Sequence, residues 1–145
     1  MPKSFRLAFK CRKSLRNAMQ KNESSAKSAK EIVTEFIQAL EQKDWKTVRS
    51  HISDNISVLA PGPFKPITFH QAEAYMYYLE HSNYPPPEIK KVIADGNDVC
   101  VVYEVILTTP PVTVCGLFHV NDDGKIGSVR NVLDPRELFQ KLFQK

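Results

Sequence analysis

Apolar residues recur at Ile32, Val33, Phe36, Ile37 and Leu40, the three- and four-residue spacing of an amphipathic helix over about residues 29–42. Asp44 then stands as the cap of a second, short helix in which Trp45, Val48 and Ile52 share a side. Residues 54–60 read as a strand, stopped by Pro61-Gly62-Pro63. A third helix is expected over about 69–82, with Ala72, Tyr75, Met76 and Leu79 on one face. After it the pattern turns to strands over 88–95, 98–108, 112–121 and 125–133. A last helix is announced by Asp134 as cap, Pro135 at its first position and Glu137 three residues after the cap. The order is ααβαββββα, a single domain over residues 29–145.

That order resembles the nuclear transport factor 2-like superfamily, and within it the SnoaL-like group that includes polyketide cyclases and ketosteroid isomerase. Three strings carry the resemblance over about residues 30–140: E-F-I-Q-A-L-E-Q-K-D-W in the first helical pair, I-A-D-G-N-D-V-C-V-V-Y-E-V in the long hairpin, and N-D-D-G-K-I-G-S-V-R-N-V-L-D-P at the end. It implies an α+β fold, a cone-shaped roll in which a strongly curved, mostly antiparallel sheet wraps a long N-terminal helix. A pocket at the open end and a homodimer through the outer sheet face are further expectations from the resemblance.

Strand pairing follows from the turns. With Pro110-Pro111 as the connection, residues whose numbers sum to 221 face each other, so Tyr103 is set opposite Phe118 and Val105 opposite Gly116. Asp122-Asp123-Gly124 suits a type I turn followed by a left-handed glycine. Matching the related enzymes there sets Gly116 opposite Val129 and Val114 opposite Asn131. Alternation then gives an inner face of Val99, Val101, Tyr103, Val105, Val114, Gly116, Phe118, Val129, Asn131 and Leu133, polar only at Tyr103 and Asn131. A glycine in the middle of a concave face leaves room for a void or ligand. The alternative is that Phe118, Phe36 and Tyr75 fill the gap. On the outer face Val102, Ile106, Cys115, Leu117 and Val132 form an apolar patch of the kind that marks an interface.

Composition separates two parts of the chain. Residues 1–30 hold nine Lys/Arg and one acid, net +8, whereas residues 31–145 hold eleven basic and fifteen acidic residues, net −4. The excess positive charge belongs to an extension over residues 1–28, so the domain is not expected to bind nucleic acid. The extension is amphipathic if helical, Arg-bearing and acid-poor, which fits a mitochondrial transit peptide, a weak hold on anionic membrane, or a disordered basic tail. No apolar run is long enough to span a membrane. The register above sets Cys100 and Cys115 about six residues apart along the sheet, roughly 20 Å, beyond disulfide reach. A reducing compartment is therefore expected, cytoplasmic or, with a transit peptide, mitochondrial.

The chemistry is sparse. Relative to ketosteroid isomerase, the resemblance puts that enzyme's base and two hydrogen-bond donors at Ala60, Phe36 and Gly116, none of which can move a proton. His51, His70, His81 and His119 lack metal-ligand spacing, so no metal and no cofactor is expected. Glu104 and His119, a diagonal step apart on the outer face, form either an acid/base pair or a surface charge pair, with Arg130 on the same side. His70 and His81 bracket the third helix, each a possible base or merely a capping side chain. Tyr75, Tyr77, Tyr78 and Tyr84 could stack on a ligand, or Tyr75 and Met76 are core and Tyr77 faces solvent.

Three readings result. The first is a domain binding a small apolar or aromatic molecule, with Phe36, Trp45, Tyr75, Tyr103, Gly116, Phe118, Val129 and Asn131 around it. The second is a cyclase, isomerase or dehydratase using Tyr103, Asn131 and His81. The third is a protein-interaction module.

Overall fold

The computed structural model describes residues 27–61, 65–82, 86–105 and 111–134. The basic extension up to residue 26, the Pro-Gly-Pro stop, Tyr84 and Pro85, Ile106, Pro110 and the helix expected from Pro135 lie wholly or partly outside them.

Helix α1 spans Ala29–Glu41 and buries Ile32, Val33, Phe36 and Ile37. Its cap is Ser28, whose hydroxyl accepts from the Glu31 amide at 3.2 Å. The helix is ended by Lys43, which takes a left-handed φ of 55°, with the Lys43 and Asp44 amides donating back to Leu40 and Ala39. Asp44 then caps α2, Trp45–Ser50, accepting from the Thr47 amide and hydroxyl. This tight reversal fixes where Trp45 stands. Ile52, expected on the second helix, is instead the first residue of β1, Ile52–Ala60.

After β1 come a short strand β2, Ile67–Phe69, then α3, Ala72–His81, and four strands: β3 Glu88–Asp95, β4 Asp98–Val105, β5 Val112–Val120 and β6 Ile126–Val132. The three-residue β2 is too short to leave a periodic signal and was not anticipated. The six strands form one sheet in the order β2-β1-β6-β5-β4-β3, in which only β1 and β6 run parallel. Register shifts in the β1–β6, β3–β4 and β5–β6 ladders bend it into a curve. α1 lies across β3, β4 and β5, and α3 packs on β1 and β2. The core between them includes Val33, Phe36, Val48, Ile52, Ile56 and Ile126, all at most 1% exposed. Among the described residues no helix is long and apolar enough to cross a membrane.

The registers differ from those expected, and one cause explains several corrections. Tyr103 faces Val114, and Val101 faces Gly116, a shift of four from the sum of 221. The outermost described pair is Val105 with Val112. Tight two-residue hairpins require positive φ or a glycine, and proline is locked near −65°, so Pro110-Pro111 cannot make such a turn. In the following hairpin Gly124 has φ 80°, as the turn chemistry requires. There Gly116 faces Asn131 and Phe118 faces Val129, because the pairing steps by one between His119 and Val120. Both corrections are even-numbered, so every side chain keeps its expected face.

The charge pairs and thiols do change. Glu104 now faces Thr113, far from His119, and takes Lys90 at 3.5 Å, while His119 pairs with Asp98 at 2.8 Å. The proposed Glu104–His119 acid/base pair does not exist. Cys100 faces Leu117 and Cys115 faces Val102, so the two are diagonal neighbours on the outer face rather than about 20 Å apart. Both thiols are free and half-buried. Burial, then the neighbouring Cys115 thiol, pushes the Cys100 thiol above its ordinary pKa.

Candidate functional site

The concave side of the sheet, α1 and α3 enclose a cavity of about 620 Å³, within the range of small-molecule sites. Its walls come from both sequence periodicities. The helical spacing of α1 delivers Phe36, Ile37 and Leu40, and strand alternation delivers Val101, Val114, Phe118 and Val129. Trp45, placed by the reversal after α1, lines one side, and exposed Glu41, Lys43 and Glu80 stand at the rim. No charged side chain is buried among the described residues.

Polar groups reach the cavity from Tyr75, Tyr78, Tyr103 and Asn131. The Tyr103 hydroxyl donates to Oδ1 of Asn131 at 3.2 Å. Gly116 lies beneath this pair. A Cβ on it would sit 3.0 Å from Cε2 of Phe118, 3.3 Å from Oδ1 of Asn131 and 3.4 Å from Cε1 of Tyr103. The glycine therefore does not open a void above itself. It lets three side chains close over the strand, and the cavity lies beyond them.

Of the residues singled out in the sequence, Phe36, Trp45, Tyr75, Tyr103, Phe118, Val129 and Asn131 border the cavity, and Gly116 supports it from below. Ala60 and Phe36, which replace proton-moving groups of the isomerase pattern, are both lining residues. His81 is not among them: it is exposed, its Nδ1 meets the Tyr77 carbonyl at 2.8 Å, and its ring stacks on Tyr77 at 4.0 Å. Tyr77 is 67% exposed, whereas Tyr75 and Met76 are buried. His70 is exposed ahead of α3 and does not border the cavity. The described residues hold no group of three or more His, Cys, Asp or Glu able to bind a metal. Tyr78 was left open by the sequence; it touches Phe69 at a ring distance of 5.0 Å and faces the cavity.

Burial sets the protonation of these phenols. Tyr75 is pushed well above the ordinary phenol pKa by desolvation, then by the nearby Tyr103 and Tyr78. Tyr103 is pushed up to about 12, again chiefly by desolvation. Both are neutral donors at physiological pH. A folded-state pKa above the unfolded value means the associated stability is whole below about pH 10 and is lost as pH rises through the folded values. Thermal melts should accordingly fall steeply above about pH 10, and less steeply in Tyr75→Phe. An identical fall in the variant would show that Tyr75 does not carry the effect.

Comparison with known proteins locates the chain. The family profile described as SnoaL-like domain matches residues 33–129. An NTF2-like protein of unknown function from Cytophaga hutchinsonii superimposes with a TM-score of 0.66 at 27% identity, over 79% of this chain and 96% of that one. An LEH-like epoxide hydrolase from M. tuberculosis gives 0.63 at 22% identity, over 79% and 88%. A de novo designed protein with a curved β-sheet gives 0.62 at 23%, over 79% and 93%. No curated protein matches the sequence at a significant level.

Proposed function

Because the chain belongs to the SnoaL-like domain family, we propose that it binds a small, largely apolar molecule inside the curved sheet and performs no acid–base chemistry there. The observation that carries this reading is the cavity's lining: aliphatic and aromatic walls, a few neutral hydroxyl and amide groups, and no buried charge. A general acid or base must reach the reacting atom and titrate near working pH. Inside the charged rim, the polar groups of the sheet and α3 wall are the Tyr75 and Tyr103 phenols, both held above the ordinary phenol pKa, with the Tyr78 hydroxyl and the Asn131 amide, which suit orienting a ligand better than exchanging its protons. Native mass spectrometry of the purified protein, together with titration of an apolar fluorescent probe, tests the reading. We expect one probe per chain, displaced by apolar extracts of the host cell. Absence of binding by probes of several sizes would overturn it.

The outer face supports a homodimer in the same reading. Leu117 is 44% exposed, Val132 49% and Ile93 50%, contiguous with half-buried Val102, Cys100 and Cys115 on neighbouring strands. An apolar strip on a sheet face is unfavourable in water and is relieved by a second copy. Light scattering should give a dimer mass at tens of micromolar, and Leu117→Lys with Val132→Lys should give a monomer. A monomeric parent would defeat the proposal.

A further inference from the structure

Resting on the reading of the cavity as a ligand site, we infer that its ligand is an uncharged, mostly hydrocarbon molecule carrying a hydroxyl or carbonyl oxygen, received by the Tyr103–Asn131 pair and the Tyr75 hydroxyl. The pair is mutually hydrogen-bonded but not saturated. With Tyr103 donating to Oδ1, the two Asn131 amide protons and the lone pairs of the Tyr103 oxygen are left over. If the amide is turned over, the Tyr103 proton and Oδ1 are left over instead. Either way a donor and an acceptor stand side by side on the cavity wall. A ligand hydroxyl satisfies both, and a ketone satisfies the donor.

Tyr75 supplies a second, independent pointer. Its side chain is 5% exposed, borders the cavity, and makes no hydrogen bond among the described residues. No buried side-chain oxygen among the described residues lacks a partner, so this hydroxyl is open to the cavity, where an oxygen arriving from the ligand finds a donor ready for it. Tyr75 lies close enough to Tyr103 and Tyr78 for their oxygens to influence its ionisation, which puts these polar groups in one region of an otherwise apolar wall.

The same geometry selects against charge. Among the described lining residues the only cation is Lys43, exposed at the rim, and it is accompanied there by Glu41 and Glu80. A carboxylate drawn inside would lose water and gain no countercharge, which costs more than neutral hydrogen bonds return. An ammonium would meet no anion beyond the rim among the described residues. Gly116 makes the arrangement possible, since any side chain there would press on both Asn131 and Tyr103.

The test is a matched series, naphthalene, 2-naphthol, 2-acetylnaphthalene and 2-naphthoate, measured by equilibrium dialysis at pH 7.5 on the full chain. 2-Naphthol and 2-acetylnaphthalene should bind, and 2-naphthoate should bind at least ~tenfold more weakly than either. In Asn131→Leu the ratio of 2-naphthol to naphthalene affinity should drop about tenfold, with naphthalene itself little changed. Tyr103→Phe, which removes one oxygen and keeps the ring, should move the ratio the same way and guards against a folding defect in the first variant. Equal binding of the carboxylate, or a ratio unchanged in both variants, overturns this inference while naphthalene binding keeps the cavity reading alive. If none of the four binds, both fall together.

Discussion

Phe36→Ala should cost about 3 kcal/mol of folding stability, the low end of the range for removing a buried phenylalanine. The side chain is 1% exposed at the centre of α1 and meets Phe118 edge-on, with ring centroids 6.1 Å apart. Deleting it removes the six ring carbons from the core and an aromatic contact worth about 0.5–1.5 kcal/mol. The low end is expected because Phe36 already borders the cavity, so truncation enlarges existing space instead of creating a new enclosed void. Against a total of roughly 5–15 kcal/mol this is a large fraction. Urea unfolding should show the midpoint falling by about 1–3 M with an unchanged slope. Phe36→Leu should recover most of the loss. A loss below about 1 kcal/mol would mean that α1 is not gripped by the sheet as described.

How much of this was legible in the sequence depended on the range of the determining interactions. The three described helices were legible because their signals are local: apolar spacing in α1, and Asp44 at the start of α2. The strand faces were also legible, because alternation survives any even error in register. What failed was pairing between strands. A tight turn at Pro110-Pro111 needs φ angles that proline cannot adopt, and the four-residue slip it implies hides the Cys100–Cys115 contact and creates a Glu104–His119 pair that the register does not contain. The β5–β6 step at His119 and Val120 was equally hidden. It depends on Gly127, over which the Asn121 side chain folds so closely that a Cβ would collide with it. No periodicity reports such a bulge.

The candidate site followed the same rule. Its walls could be named from alternation and helix spacing, but the Tyr103–Asn131 hydrogen bond depends on which residue faces Gly116, a matter of register. The sequence pointed to Gly116 as an opening; the structure makes it a saddle under two polar groups. The same fold is carried by an LEH-like epoxide hydrolase and by a designed protein, so the fold alone assigns no chemistry. Among the described residues no charged side chain is buried, and this is the ground on which binding is proposed in place of acid–base catalysis.

Gly116→Leu should abolish binding of apolar probes while leaving a folded protein. A Cβ at this position already sits 3.0–3.4 Å from Phe118, Asn131 and Tyr103, so the remaining three carbons of leucine must displace those side chains into the cavity. Two consequences follow together: the Tyr103–Asn131 hydrogen bond breaks, and space is taken by Phe118 and the leucine. The contacting atoms are side-chain ends, and the backbone needs no unusual angle, so overpacking should cost about 1–3 kcal/mol and not the fold. Gly116→Ala requires shifts of only a few tenths of an ångström and should retain binding with the 2-naphthol preference reduced. Circular dichroism and dialysis on the three proteins separate the effects. If Gly116→Leu binds naphthalene as well as the parent does, the three side chains do not close over the glycine and the wall is arranged differently. If it binds nothing and Gly116→Ala binds normally, the polar pair above Gly116 forms the wall against which the ligand rests.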